Sequence, residues 1–452
     1  MLSLASSDDA GRGAARGGAR AAPAVSAAAS APGDVRMRGF AARADVEEVE
    51  RFLAERARPL DAEPVPLLAC AGRVLAADVV AEVDVPAFHR SAMDGYAVRG
   101  EDTFGASGYD PLALRVVGEA LPGRPFAGRV GPGEAVRIMT GAPLPDGADA
   151  VVMAEVCEAR GEAVLVRDAV PPRKHVGARG EDLRAGETVL RAGRRLRAQD
   201  AGLLASLGVA SVSCVRRPRV RLVVTGDELL PAGSPPRGAH IADSNSVVLR
   251  ALAARDGAEC LPFELLPDRP APIRAALQDP DADAFLVSGG SSVGQEDHAP
   301  RLVAELGRLD YHGVAMRPSS PAGVGRVPGP RGERFAFLLP GNPVSCLCAY
   351  EFFAGPTLRR LGGRSAAWPH RRVRLPLARK ISSAIGRTDY VRVAIERGRV
   401  VPLATSGASI LSSTVRADGC VIVPRGLEGM AEGAEVEVLL YDEDALPPES
   451  AR

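Results

Sequence analysis

Apolar and polar positions follow two different rhythms along this chain. Between Pro66 and Gly186, short apolar runs such as Leu112–Val117 and Ala150–Met153 are separated by glycine and proline. This texture is typical of a β-rich module. After Pro218, strand-length apolar runs alternate with longer segments whose apolar residues recur at helical spacing. Strands that alternate with helices in this way predict a parallel, doubly wound α/β sheet.

The runs also place the individual elements of the α/β region. Its predicted strands are Val220–Val224, Cys260–Leu265, Ala284–Val287 and Phe335–Leu339. Its predicted helices are Ser244–Arg255, Ala271–Leu277, Ala299–Glu305 and a long apolar helix, Val344–Leu361. After Trp368 the chain returns to short β segments with tight turns, which predict a small C-terminal β-domain.

Two helical segments flank the β-rich module. The first follows Asp45, where Val46, Val49, Phe52 and Leu53 recur at helical spacing, and the second is predicted over Leu190–Gly208. Residues 1–41 contain mainly alanine, glycine, serine and arginine. Such a segment buries too little apolar surface to offset its chain entropy, so we expect it to be disordered.

Length and charge narrow the class of protein. At 452 residues the chain is too long for one core, and about 150 residues per domain suggests three or four domains. Lysine and arginine together number 56, equal to aspartate and glutamate, so no overall field attracts nucleic acid or acidic lipid. No apolar stretch approaches the roughly 18 residues needed to cross a bilayer.

The seven cysteines are scattered, and Cys346 and Cys348 form the only close pair. A zinc or redox site is one interpretation of that pair, but it lies in an apolar run without histidine. Buried thiols in a reducing compartment fit better, and we therefore expect a cytoplasmic protein.

Three predicted strands end in polar loops that contain glycine. These are the first loop, Thr225–Leu229, the second loop, Ser288–Asp297, and the third loop, Leu339–Ser345. Ligands of open α/β sheets bind outside the carboxyl ends of the strands, where glycines and helix N-termini suit an anion. Each loop alone is also typical of a tight turn. Together they predict a cleft for an anionic, phosphorylated small molecule.

Several carboxylates occur in the same region: Asp227, Glu228, Asp243, Asp268 and Asp297. Carboxylates beside a phosphate repel it unless a divalent cation lies between them, and Mg²⁺ is the usual solution. Asp243 can instead cap a helix, which we prefer for that residue, and Asp268 can stabilise the turn before Pro270. We expect Asp227, Glu228 and Asp297 to be the metal ligands.

Two clusters in the β-rich module carry further polar groups. Asp94 lies in the small-residue segment Ser91–Ala97, where packing alone does not call for an acid. The segment Arg173–Asp182 is basic at its start and acidic at its end. A run of cations by itself is typical of a solvated surface.

These segments together resemble a known family. The matching motifs are Ser91–Val98 (SAMDGYAV), Arg137–Asp149 (RIMTGAPLPDGAD), Gly180–Asp182 (GED) and the three loops, the first reading TGDEL and the third LPGNPVS. They occur in family order over roughly residues 44–445 and are similar to the molybdopterin molybdotransferase (MoeA) family, which includes the C-terminal part of gephyrin.

The resemblance implies a multidomain α/β plus β fold with a helical linking part, a β-rich insert, a molybdopterin-binding α/β domain and a C-terminal β-barrel. The implied boundaries are a disordered tail 1–43, linking segments 44–65 and 187–216, insert 66–186, α/β domain 217–366, barrel 367–446 and tail 447–452. The implied subunit forms an elongated homodimer in which the insert of one subunit faces the cleft of the other.

The activity implied is molybdenum insertion from molybdate into adenylylated molybdopterin with release of AMP, aided by magnesium. The molybdopterin adenylyltransferase and recipient molybdoenzymes are further expected partners. The catalytic residues implied are Asp94, Thr140, Asp182, Glu228, Asp268 and Asp297. The binding residues implied are Thr225, Gly226, Asp227, Ser288, Gly289, Gly290, Ser292, Arg317, Ser320, Pro340, Gly341, Asn342, Pro343, Arg387 and Ser409.

The chain departs from the family pattern at one cationic corner. The family usually has lysine at the positions of Arg317 and Ser320, so Ser320 removes a positive charge. Such a charge is worth roughly 1.5–3 kcal/mol when it is hydrogen-bonded to an anionic ligand. The alternative function is therefore a catalytically weakened paralogue that binds or carries molybdopterin or molybdate.

Overall fold

The computed structural model describes residues 43–290, 298–404 and 407–442. The predicted disordered tail, apart from Arg43, and the C-terminal tail therefore lie outside the described residues, as do Ser292 and Asp297 of the second loop. In the part of the chain that is described, no helix has the length and apolar character to span a membrane.

The module between residues 66 and 186 is built on strands, as its pattern of short apolar runs predicts. Its main sheet has six strands, which lie in the spatial order Ala150–Met153, Gly95–Val98, Glu134–Ile138, Leu112–Ala120, Ala163–Val166 and Cys157–Arg160. Alternate side chains enter two separate cores on the two faces, so Val98 and Ala97 are both fully buried but on opposite sides.

The segments on either side of this insert contain strands as well as helices. Ala62–Pro66 pairs antiparallel with Ser211–Val215, and Thr188–Leu190 pairs with Val79–Val80, which lies within residues 66–186. The helix predicted over Leu190–Gly208 is wrong in its first half, because the helix runs only from Ala198 to Ser206. Asp200 sets its start by accepting a hydrogen bond of 2.9 Å from the N–H of Arg197.

The first helix, Val46–Arg56, packs with the α/β region. Its buried residues Val46, Val49 and Leu53 belong to the same apolar core as Phe337 and Phe353. Amphipathic spacing predicted the helix correctly, although it did not show which core the apolar face enters.

The central α/β sheet has six strands. In spatial order they are Glu259–Cys260, Arg219–Val224, Ala284–Ser288, Gly332–Leu339, Gly323–Gly329 and Arg308–His312. The first four are parallel, as predicted, whereas antiparallel pairing joins the last three. The sheet is therefore mixed rather than purely parallel.

The sequence pattern missed this antiparallel extension because glycine interrupts it. A Cβ at Gly325 would lie 2.4 Å from Cγ1 of Val303, and one at Gly307 would lie 2.1 Å from the carbonyl oxygen of Arg326. Close packing of the helix Ala299–Leu306 against these strands therefore requires glycine, a residue that in a sequence usually indicates a turn.

Helices cover both faces of the central sheet. One face packs against the helices Pro270–Leu277 and Ala299–Leu306, and the other against Asn245–Arg255 and the long helix that starts at Pro343. That helix runs as Pro343–Ala349, a π-helical turn Tyr350–Ala354, and Gly355–Leu361. The doubly wound α/β prediction is confirmed.

The C-terminal region forms a closed set of strands around its own core. The strands follow one another as Arg371–Pro376, Glu435–Leu440, Gly419–Val423, Thr388–Glu396 and Arg399–Ala404. A parallel bridge between Leu377 and Val400 returns the last strand to the first. The predicted β-barrel, and with it the multidomain α/β plus β class, is confirmed.

All seven cysteines are free. Cys346 and Cys348 are buried, and burial raises the pKa of the Cys346 thiol to about 12. The prediction of buried thiols at this pair is confirmed.

Candidate functional site

A cleft of about 560 Å³ opens where three strands of the central sheet end. Val224, Ser288 and Leu339 lie side by side in the parallel register, so the three loops leave the sheet together. The predicted site residues that line the cleft are Thr225, Gly226, Glu228, Asp268, Ser288, Gly289, Gly290, Gly341, Asn342, Pro343 and Ser409. The juxtaposition expected from the three strand-end loops is therefore present.

Close packing of the first two loops forms the floor of the cleft. The N–H of Thr225 donates a 3.0 Å hydrogen bond to the carbonyl oxygen of Ser288. Gly289 has φ +89°, and a Cβ there would lie 2.0 Å from the carbonyl oxygen of Thr225. Only glycine fits this approach, which keeps both backbones at the bottom of the cleft.

Carboxylates bind the first loop to the segment that precedes the helix Pro270–Leu277. The hydroxyl of Thr225 donates to Asp268, and the N–H of Asp227 lies 3.3 Å from the second oxygen of that carboxylate. In return, the N–H of Asp268 donates to Asp227 at 3.2 Å. The partners of Asp268 are thus a hydroxyl and a backbone N–H, and the contacts go beyond a local turn before Pro270.

Asn245 is a residue that the sequence analysis missed. It is 8% exposed, and its amide donates to the hydroxyl of Ser288 and to the carbonyl oxygen of Gly341, each at 2.8 Å. It therefore joins the second and third loops across the cleft. The only feature of the sequence that could have indicated Asn245 is its position in the first turn of the predicted helix, close to the predicted cap Asp243.

Asp243 also lines the cleft, and its carboxylate accepts a 3.0 Å hydrogen bond from the N–H of Ser246. The preferred interpretation of Asp243 as a helix cap is confirmed. The helix Asn245–Arg255 and the helix that starts at Pro343 both direct their N-termini toward the cleft. The positive partial charge of a helix N-terminus favours a bound anion, although the N–H of Ser246 already donates to Asp243 and that of Val344 to the carbonyl oxygen of Ala408.

A second cavity of about 330 Å³ adjoins the first and shares Gly341 and Asn342 with it. Arg317, Ser320 and Pro340 line this second cavity. The guanidinium of Arg317 pairs with Asp389, and Nε of Arg387 lies 3.0 Å from the same carboxylate. Both predicted arginines are thus neighbours at one buried acid.

One hydrogen bond and one buried hydroxyl lie at the edge between the two cavities. The hydroxyl of Ser409 donates to Oδ1 of Asn342 at 2.8 Å, which brings the C-terminal region to the third loop. The Oγ atom of Ser320 is buried and has no hydrogen-bond partner among the described residues.

Asp94 and Thr140 form a direct pair in the insert. Both the N–H and the hydroxyl of Thr140 donate to Oδ1 of Asp94, at 2.7 and 2.8 Å. These two hydrogen bonds lower the pKa of Asp94 below its ordinary value. Asp182 directly precedes Leu183, which forms a bridge with Val85, and the N–H of Asp182 donates to the carbonyl oxygen of Val85. Within one subunit, none of these three residues lines either cavity.

The predicted metal ligands are placed only in part. Glu228 lines the cleft and Asp227 adjoins it, but Asp297 lies outside the described residues. No cluster of three or more histidine, cysteine, aspartate or glutamate side chains suited to a metal ion occurs in residues 43–290, 298–404 and 407–442.

Three protein-family models match consecutive parts of the chain. They are the MoeA N-terminal region (domain I and II) at residues 44–208, the probable molybdopterin binding domain at 221–360, and the MoeA C-terminal region (domain IV) at 374–441. The cleft described above lies mainly in the second of these segments.

Similarity to individual proteins extends over most of the chain. Molybdopterin molybdenumtransferase 2 of Mycobacterium tuberculosis is 36% identical over 408 residues, covering 87% of this chain and 98% of the relative. A molybdopterin molybdenumtransferase of Haemophilus influenzae is 31% identical over 400 residues, covering 86% and 96%. The crystal structure of a MoeA protein from Pyrococcus horikoshii superimposes with a TM-score of 0.76 at 31% identity, covering 89% of this chain and all of that one. The chain therefore belongs to the MoeA family of molybdopterin molybdenumtransferases.

Proposed function

We propose that this protein inserts molybdenum from molybdate into adenylylated molybdopterin and releases AMP, as a step of molybdenum cofactor biosynthesis. The observation that carries the proposal is the cleft at the ends of Arg219–Val224, Ala284–Ser288 and Gly332–Leu339, inside the segment that matches the molybdopterin-binding family model. Two helix N-termini and the close-packed glycine turn suit a phosphate. The adjoining cavity beside Arg317 offers a separate place for an oxyanion.

The proposed subunit has the four parts expected from the sequence: linking segments 44–65 and 187–216, insert 66–186, α/β domain 217–366 and barrel 367–446. Separate apolar cores in the insert, the α/β region and the barrel support this division. The helix Val46–Arg56 packs into the α/β core, so the linking part is joined closely to that domain.

We assign Asp94, Thr140 and Asp182 to the cleft of a second subunit in a homodimer. Asp94 and Thr140 are exposed although they bond each other with good geometry, and neither is among the described residues that line the cleft or the second cavity. An exposed polar pair of this kind is suited to contact a ligand that is bound in the cleft of a partner subunit. Contacts with the molybdopterin adenylyltransferase and with recipient molybdoenzymes remain part of the proposal.

Magnesium fits the donor set at the cleft, because Asp227 and Glu228 offer the carboxylate oxygens that this cation prefers. Asp297 is the proposed third ligand. When bound, the cation neutralises phosphate charge during hydrolysis of the adenylate. Asp268 would hold Thr225 and the backbone of Asp227 in place rather than bind the metal, since both its oxygens accept hydrogen bonds from the first loop.

A reconstitution assay tests the function. Purified protein is mixed with adenylylated molybdopterin, magnesium and molybdate, and AMP and the molybdenum-loaded pterin are measured. We expect AMP release that depends on both magnesium and molybdate. If AMP release requires neither, or is absent, the proposed reaction is wrong.

The second candidate is a protein that binds or carries a molybdopterin species or molybdate without turnover. It is favoured by Ser320, whose hydroxyl is buried where the family usually has a lysine, and by the pairing of Arg317 with Asp389. Tight binding of adenylylated molybdopterin without release of AMP would select this function. For either function, the seven free cysteines support the proposed cytoplasmic location.

A further inference from the structure

Asp389 is a fully buried carboxylate held by three side chains. It is 0% exposed, and the guanidinium of Arg317 and the hydroxyl of Ser383 both contact its Oδ2, the latter at 2.8 Å. Nε of Arg387 lies 3.0 Å from Oδ1, an ion pair without hydrogen-bond geometry. Two arginines beside one buried acid offset the cost of burying a charged group.

The three donors come from two parts of the fold. Met316–Arg317 is a short strand that pairs in parallel with the start of Thr388–Glu396, with Arg317 opposite Asp389. Ser383 and Arg387 belong to the barrel region. Asp389 therefore joins the segment that leaves the α/β domain to the barrel at the point where the chain forms the second cavity.

The contact between Arg317 and Asp389 lies beside the second cavity. Arg317 lines it together with Pro340, Gly341 and Asn342, and the last two also line the molybdopterin cleft. The side chain of Arg317 is 28% exposed and that of Arg387 is 34% exposed, whereas the side chain of Asp389 is 1% exposed. A ligand in this cavity can reach the arginine but not the acid.

We propose that Asp389 is a positioning residue for the transferase reaction, which orients Arg317 and Arg387 so that an incoming molybdate oxyanion meets a fixed guanidinium. The inference rests on the proposed function, because it concerns how molybdate is bound in that reaction. A long arginine side chain loses little rotamer freedom on binding the oxyanion when a buried partner already holds it.

Two physical effects of removing this charge have opposite signs. Asp389→Asn takes away a negative charge from beside the cavity, and Coulomb attraction alone would then tighten the binding of an anion. Loss of the ion pairs releases both arginines, which weakens binding. Partners that orient a ligating group typically contribute about 10- to 100-fold in affinity or activity. We expect this orienting effect to exceed the Coulombic one, so Asp389→Asn weakens molybdate binding.

The experiment compares Asp389→Asn with Asp283→Asn in the full chain. Asp283 is also a buried acid between two arginines, at 2.6 Å from Arg216 and 3.3 Å from Arg331, but it lies at the opposite end of the central sheet. Two quantities are measured for each variant: the molybdate concentration at half-maximal AMP release, and molybdate binding without pterin, by equilibrium dialysis with mass-spectrometric detection of molybdenum. The KM for adenylylated molybdopterin serves as the internal reference.

We expect Asp389→Asn to raise the KM and Kd for molybdate about tenfold or more, with a much smaller change in the KM for the pterin substrate. Asp283→Asn should leave the molybdate constants unchanged, and Asp389→Glu should recover part of the loss. If Asp389→Asn does not fold, Ser383→Ala keeps both charges and removes one hydrogen bond. It should still raise the molybdate Kd by roughly threefold.

Tighter or unchanged molybdate binding in Asp389→Asn would overturn the inference, and so would an equal loss in Asp283→Asn. An unchanged molybdate Kd in Ser383→Ala would also overturn the inference. If the wild-type protein releases no AMP but binds molybdate, and Asp389→Asn weakens that binding, the positioning role stands although the proposed reaction fails.

Discussion

Replacing Asn245 with alanine tests whether this buried amide holds the cleft together. In the wild type its Nδ2 donates to Ser288 and Gly341, both at 2.8 Å, and the residue is 8% exposed. The substitution leaves the hydroxyl of Ser288 and the carbonyl oxygen of Gly341 without this donor. It also creates space at the wall of the cleft.

The expected cost follows from these two contacts. Each buried polar group left without its partner costs about 1–3 kcal/mol. Because both groups lie at the wall of an open cleft, water can reach them, and the lower end of that range applies, about 2 kcal/mol in total. At tenfold for each 1.4 kcal/mol, this corresponds to a roughly 30-fold larger population of the open state of the loops that Asn245 connects.

Native-state hydrogen exchange is the appropriate assay, because the chain has several separate cores and no single unfolding free energy describes it. The amides of Ala284–Ser288 and Gly332–Leu339 should exchange about 30-fold faster in Asn245→Ala, while those of the barrel stay unchanged. Binding of adenylylated molybdopterin should weaken in parallel.

Asn342→Ala is the matched control. Asn342 lines the same cleft but is exposed, and its Oδ1 accepts a 2.8 Å hydrogen bond from the hydroxyl of Ser409. We expect less than about 0.5 kcal/mol of local destabilisation from it. Equal exchange rates in the two variants, or wild-type rates in Asn245→Ala, would refute the view that Asn245 connects the loops.

Three further perturbations have expected outcomes. Ser320→Lys should raise molybdopterin affinity about tenfold by restoring a cation at this corner, measured by calorimetric titration; no gain would mean that another cation, such as Arg317, already fills the role. Thr140→Val removes one of two hydrogen bonds to Asp94 and should move the lowered pKa of that carboxyl upward in an NMR titration; an unchanged pKa would assign the effect to the backbone N–H alone. Burial would raise the pKa of Glu351, but hydrogen bonds with His370 and Arg255 outweigh it and lower the pKa from 4.5 to about 2, so the stability that Glu351 contributes is present above about pH 4.5 and is lost as the pH falls through about 2. Glu351→Gln should flatten the fall in the midpoint temperature of the α/β region's own unfolding transition between those two pH values, and an unaltered pH profile would contradict the lowered pKa.

Strand-end loops could be predicted from the sequence because their positions depend on local patterns. An apolar run followed by glycine and polar residues at Thr225, Ser288 and Leu339 is sufficient to place three loops at the same edge of a parallel sheet. The cap at Asp243 was predictable for the same reason, since it depends on a hydrogen bond only three residues away.

Contacts between distant segments were not predictable in this way. Asn245 reaches partners 43 and 96 positions away, and Arg317 reaches Asp389 across 72 positions. No periodicity or spacing encodes such pairs. The antiparallel strand Gly323–Gly329 was missed because close packing selects glycine within it, and glycine is usually taken as the sign of a turn.

The charge of the cleft shows that its own lining residues cannot neutralise a bound phosphate. Of the lining residues that the structure describes, Glu228, Asp243 and Asp268 carry carboxylates and none is lysine or arginine. Two helix N-termini supply roughly half a positive charge each, whereas a phosphate group brings about −1.5 to −2. Even if Asp243 and Asp268 are compensated by their hydrogen bonds, Glu228 and the ligand exceed the positive partial charge by at least one unit. The remaining neutralisation must come from a divalent cation at Asp227 and Glu228, from the second cavity beside Arg317, or from the insert of a partner subunit. Titrating magnesium against binding of adenylylated molybdopterin separates the metal from the other two sources, since only the metal makes affinity depend on magnesium and makes Glu228→Gln lower that dependence.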